Sequence, residues 1–167
     1  MSYPHLPNEE ERLQALDDLQ ILDTPPDPLM SAACAEAARE FNVPIALITL
    51  IDRHRQWFKA CIGLAVCETP REPAFCNYTI VQDQPFVVPD TLLDRRFADN
   101  PFVTGEPRIR FYAGAPLLLR ENIRLGSFCI VDTKPREFSD GEAAKLESYA
   151  SRVIRHLWSR NAHGAST

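Results

Sequence analysis

Five cysteines and four histidines are the side chains in this chain best suited to nucleophilic, redox or metal chemistry. The cysteines are Cys34, Cys61, Cys67, Cys76 and Cys129; the histidines are His5, His54, His156 and His163. No Cys-x-x-Cys occurs, and no histidine has a partner at structural zinc spacing, so no metal site is expected. An odd cysteine count without a secretion signal argues against a disulfide framework. Cys76 sits in the most distinctive setting, "ETPREPAFCNYTI", Glu68 to Ile80. A thiol acts as a nucleophile near neutral pH only if a base or a positive neighbour lowers its pKa. Tyr78 lies two residues on, and a phenol is too weak a base for that role. It can donate a hydrogen bond to a ligand. His54 falls in a predicted turn and His156 in the last predicted helix. Phe75, Cys76, Thr79 and Ile80 share one side of a short helix, and a buried free cysteine behaves as a small hydrophobe. Packing is the leading reading of Cys76, a place on a pocket wall its main competitor, and thiol chemistry the third.

These residues need elements to position them. The chain has 167 residues, 45% of them hydrophobic, which suits one domain with a proper core. No apolar run reaches the roughly 18–20 residues of a bilayer span. The N-terminus lacks the pattern of a signal peptide, so a cytoplasmic protein is expected. The net charge of −5, with no basic cluster, disfavours nucleic acid binding.

Three stretches have helical periodicity. The first starts at Asn8 as cap, with Glu11 as its capping-box partner, and carries Leu13, Leu16, Leu19 and Leu22. Asp27 caps the second, with Pro28 in its first turn, and Cys34 lies on its apolar stripe. Ser139 and Glu142 form a capping box for the last, whose stripe includes Leu146, Tyr149, Val153 and Trp158. Between them, "IALITLI" is a continuous apolar run to be covered on both faces, and "QWFKACI" pairs with it as a hairpin. "FVV" is a short strand. "IRFYAGAPLLL" and "LGSFCIV" make a second hairpin. Hairpins imply antiparallel pairing, so the class is α+β, an antiparallel sheet with terminal helices on one face. The long stretch from Thr91 to Pro107 suits a cover over a site.

Further residues could meet a ligand. Trp57 lies in a strand and reads first as core. Arg110 and Tyr112 share one strand face. On the pocket side, Arg110 would pair with an anion and Tyr112 would stack or hydrogen-bond; otherwise Arg110 pairs internally with Asp90 or Asp132. Asp94 and Asp99 read as turn residues. Trp158 packs within the chain or across a dimer.

"PIALITLIDRHRQWFKACIGL", "ETPREPAFC", "VVPDTLLDRRFADNPFVTGEPRIRFYAGAPL" and "LGSFCIVDTKPREFSDGE" together resemble the GAF domain family, most closely the branch at the N-terminus of bacterial sensor histidine kinases and cyclic-dinucleotide signalling proteins. The resemblance implies a PAS-like fold, with a central antiparallel sheet of five to six strands. Terminal helices cover one face, often as a dimer interface, and short helices and loops close a pocket on the other. It sets residues 1–7 as a flexible N-terminus, 8–160 as a single GAF domain and 161–167 as a disordered tail. It puts Trp57, Phe75, Cys76, Tyr78, Asp90, Arg110 and Tyr112 forward as ligand-binding candidates and names no cofactor. Many members of this branch have histidine where Tyr78 stands, and bilin-binding members commonly follow their cysteine with histidine, where this chain has Asn77. No kinase or cyclase follows Arg160, so the chain is a stand-alone sensor or a fragment of a longer protein, with Met1 favouring a natural start. The expected function is a non-enzymatic sensory module of bacterial signal transduction that binds a small molecule, dimerises through its terminal helices, and meets a signalling partner, not nucleic acid or membrane. The alternatives are a thiol redox switch or reductase centred on Cys76, and a ligand-free dimerisation module.

Overall fold

The structure, a computed structural model, describes residues 3–165, with side chains through Arg160. The sheet has six strands: β1 (Ile45–Ile51), β2 (Arg55–Ile62), β3 (Glu68–Pro70), β4 (Phe86–Val88), β5 (Phe111–Arg120) and β6 (Ile123–Asp132). Their spatial order is β3-β2-β1-β6-β5-β4, and every pair is antiparallel. The α+β class and both hairpins stand as read from the sequence.

Helices α1 (Glu9–Asp18), α2 (Pro28–Glu40) and α5 (Asp140–Ala165) belong to one face. Two short helices, α3 (Cys76–Thr79) and α4 (Pro101–Thr104), belong to the other. Strand alternation feeds both faces. In β1, Ala46, Ile48 and Leu50 enter the helix-side core, while Ile45, Leu47 and Ile51 enter the second core. That division is why "IALITLI" is apolar throughout: all seven residues are buried. A bulge opposite Ile48 and Thr49 leaves Lys59 without a strand partner. Its ammonium donates to Thr24 Oγ1 (2.7 Å) and the Pro25 carbonyl between α1 and α2.

The helix caps differ in outcome. Asp27 Oδ1 accepts from the Leu29 and Met30 N–H groups. Ser139 and Glu142 exchange reciprocal bonds at 3.0 and 3.1 Å. Asn8 does not cap α1; its amide donates to the Asn122 carbonyl at 2.8 Å instead. Three glutamates in the first turn, Glu9, Glu10 and Glu11, complement the α1 dipole in its place.

At the N-terminus, Leu6 packs on the pocket-side core and the Tyr3 ring lies 4.8 Å below the Arg71 guanidinium; Met1 and Ser2 of the expected flexible segment lie outside the described residues. The backbone of α5 continues through residues 161–165, where a disordered tail was expected. No proline interrupts it, and each further helical residue adds a backbone bond. Ser166 and Thr167 lie outside the described residues.

Candidate functional site

The approach to α3 is set by charge. Glu9 bridges two arginines: Arg12 donates to it at 3.0 and 2.9 Å, and Arg71 donates from the "ETPREP" segment. Arg12, fully buried, also donates to the Ile51 carbonyl at 2.7 Å. Arg71 Nε donates to Asn77 Oδ1 at 3.0 Å, and Asn77 Nδ2 returns a bond to the Arg71 carbonyl at 2.7 Å. Burial alone would raise the Glu9 carboxyl, but the two guanidiniums outweigh it and hold Glu9 below its usual range. Arg71 of "ETPREP" is therefore a mount, fastening α3 to Glu9 of α1 and to the Asp52 carbonyl just past β1.

Aromatic packing completes the mount. Phe75 stacks on Phe97, centroids 4.2 Å apart and planes within 11°. Tyr78 stacks on Phe86 at 5.5 Å, and the Arg96 guanidinium lies 4.9 Å from the Phe86 ring.

So held, Cys76 points at the sheet into a buried polar cluster. Its sulfur lies 2.9 Å from Ser127 Oγ, 3.2 Å from Tyr112 OH and 3.3 Å from Thr49 Oγ1. Tyr112 OH also meets Thr79 Oγ1 at 2.7 Å. Gly114 makes room for that hydroxyl: a Cβ there would stand 2.2 Å from it. Burial pushes the Cys76 thiol up, but hydrogen bonding from Cys129, Ser127, Thr49 and Tyr112 pulls it down to about 7. Burial and the neighbouring Cys76 push Cys129 and Tyr112 in the opposite direction. The acidic thiol of the group is thus Cys76, with hydroxyl donors in place of an imidazole. His54 is in the exposed β1–β2 turn, and His156 pairs with Asp27 at 2.8 Å on the helix side.

Beside this cluster lies a cavity of about 450 Å³. Its floor is the sheet, through Leu47, Phe58, Tyr112, Cys129 and Val131. Its cover comes from residues 63–66, from Phe75 and Cys76, and from Phe102, Glu106 and Pro107. The size falls within the 300–1,000 Å³ typical of ligand pockets.

The GAF domain family matches residues 25–157. The chain belongs to that family. It is 45% identical over 159 residues to a cyclic di-GMP phosphodiesterase from Pseudomonas aeruginosa, a match covering 94% of this chain and 27% of the relative. The chain thus spans about a quarter of that relative's length. Among solved structures, the fold is shared with the GAF domain of an Acinetobacter phosphoenolpyruvate-protein phosphotransferase, at TM-score 0.64 and 15% identity, covering 96% of this chain and 99% of that one. A far-red cyanobacteriochrome photoreceptor gives 0.65 at 15% identity over 91% and 98%. A type II free methionine-R-sulfoxide reductase from Thermoplasma acidophilum gives 0.62 at 16% identity over 77% and 89%.

Within this GAF domain the seven candidate ligand residues separate. Phe75, Cys76 and Tyr112 line the cavity. Tyr78 stands behind them in the aromatic layer. Trp57 is in the helix-side core, because its neighbours Gln56 and Phe58 take the pocket side. Asp90 caps the 3-10 turn Thr91–Leu93, accepting from the Leu92 N–H at 3.0 Å. Arg110 pairs with neither Asp90 nor Asp132; it donates to the Val103 and Ile109 carbonyls at 3.0 and 3.1 Å, closing the end of α4. Strand alternation does not extend to Arg110, since β5 begins at Phe111. Sequence reading missed Thr49, Ser127 and Cys129. The first two carried a signal, as lone hydroxyls inside the apolar runs "IALITLI" and "LGSFCIV". Arg12 and Asn77 carried none. Cys34 is buried on α2 as expected, its thiol pushed up to about 12 by burial.

Proposed function

We propose that this GAF domain is a non-catalytic sensory module that binds a small molecule in the cavity between the sheet and its cover. The cavity of about 450 Å³ behind Phe102 and Pro107 carries this reading. A ligand that fits one arrangement of sheet and cover better than another shifts the balance between them. The terminal helices α2 and α5, packed on the back of the same strands, pass the shift to a second copy of the chain and to a signalling partner. The relative's name supports cyclic-dinucleotide turnover as the output to which such a module is attached. The setting is the cytoplasm. Native mass spectrometry of the protein purified from its own host tests this: a dimer with retained small-molecule mass is expected. Monomer without ligand, together with no thermal shift across a metabolite library, would overturn it.

A second reading rests on the donors around Cys76 and on Cys129 in the same cavity wall. In it, the Cys76 thiolate attacks a peroxide oxygen, forming sulfenic acid and releasing hydroxide. The Cys129 thiol then attacks the Cys76 sulfur, forming the disulfide and releasing water. Peptide mapping after peroxide treatment would find the Cys76–Cys129 crosslink; unlinked thiols at both positions would dismiss the reading.

A further inference from the structure

Resting on the proposal that the cavity is the ligand site, we infer the class of ligand: a neutral or cationic, largely apolar molecule bearing a hydrogen-bond donor, and not a nucleotide or other anion. The residues lining the cavity include no lysine, arginine or histidine, and Glu106 is the single carboxylate. A carboxylate or phosphate drawn into such apolar walls loses its hydration without a compensating charge.

The arginines nearest in the fold are committed elsewhere. Arg108, between the lining residues Pro107 and Ile109, donates to the Thr104 carbonyl at 3.2 Å, Arg110 serves the Val103 and Ile109 carbonyls, Arg71 serves Glu9 and Asn77, and Arg96 is paired with Asp94. Releasing any of them toward the cavity would leave a carbonyl or carboxylate unpaired. Beside the Thr69 and Tyr112 hydroxyls and the thiols, which bond within the protein, the cavity meets two groups with lone pairs to offer, Gln56 and Glu106. Gln56 spends one N–H of its amide on Thr69 Oγ1 at 3.2 Å, and its carbonyl oxygen stands as an acceptor. Glu106, exposed at the rim, has no ion pair among the described residues. Apolar walls, the Gln56 carbonyl oxygen and the rim carboxylate of Glu106 together select a hydrophobic body with an amine, amide or hydroxyl donor.

Three isosteric probes that differ in charge test this: naphthylmethylamine, naphthylmethanol and naphthoate, with cyclic di-GMP as a fourth. Each is titrated into the protein while the methyl resonances of Leu47 and Val131 are followed. The amine and the alcohol should move both methyls, and naphthoate and cyclic di-GMP should bind at least about tenfold more weakly. Glu106→Lys should cut the amine's advantage over naphthoate a few-fold, as befits an exposed charge. Ala65→Trp, on the exposed part of the cover, should weaken both binders. If naphthoate or cyclic di-GMP binds at these methyls as tightly as the amine, the ligand class is wrong while the cavity remains the site. If no probe moves them, the cavity reading itself falls.

Discussion

At Cys76 the usual route to an acidic thiol is replaced by the neighbouring Cys129 thiol and three hydroxyls. Ser127 makes the shortest contact to the sulfur, 2.9 Å. Ser127→Ala should therefore raise the Cys76 thiol, a shift read by titrating ultraviolet thiolate absorbance with and without the substitution in a background lacking the other four cysteines. An unchanged titration would mean that Ser127 donates elsewhere. Glu9 offers a stability counterpart. Its folded pKa is depressed below the usual 4.5, so its contribution is complete above that value and is lost as pH falls through the folded pKa. Glu9→Gln should be destabilising at neutral pH, and its urea midpoint should converge on that of the natural chain as the solution is acidified. A constant gap would refute the assignment. The limits of sequence reading also show at this scale. Cys76 and Tyr112 were legible as candidates because their neighbours alternate or repeat with a period. Arg12 was not, since nothing local tells that a helix arginine will be sealed against the Ile51 carbonyl, 39 residues away.

Elements were more legible, because period and caps are local signals. The two hairpins, the β4 strand and the caps of α2 and α5 follow from alternation, turn residues and the Asp27 and Ser139 signatures. Asn8 shows where such reasoning stops: its amide found a distant carbonyl at Asn122, and a tertiary bond displaced a local one. Asp27 does both jobs. It caps α2 and also takes His156 of α5 at 2.8 Å. Burial raises its carboxyl, but the bonds from His156 and from Met30 outweigh that and lower it. Asp27→Ala should cost about 1–2 kcal/mol in urea unfolding, the upper range for a lost cap, because the α2–α5 tie goes with it. Asp27→Asn, which keeps a capping oxygen, should recover the larger part; equal losses in the two variants would assign the effect to the α2–α5 tie alone.

For the whole molecule, the decisive feature is that one sheet serves two compartments. Leu47, Cys129 and Val131 form the cavity floor, while Ala46, Ile48 and Ile130, their neighbours along the same strands, lie in the core shared with α2 and α5. A strand cannot shift its pocket-side residues without moving the alternate ones, because packed interiors do not absorb displacement freely. On the proposed function, occupancy of the cavity would be coupled to helix packing across a single layer. The expected coupling is of the ordinary allosteric size, about 1–3 kcal/mol. In the naphthylmethylamine titration, methyl resonances of Ile48 and Ile130 should move in step with Leu47, and those of Leu146 and Val153 on α5 should follow at the same midpoint. By linkage, Val153→Ala, which loosens the docking of α5, should alter affinity for the amine by no more than the coupling factor between cavity and helix. Shifts confined to Leu47 and Val131, with affinity indifferent to Val153→Ala, would leave a module that binds but sends nothing to its helices.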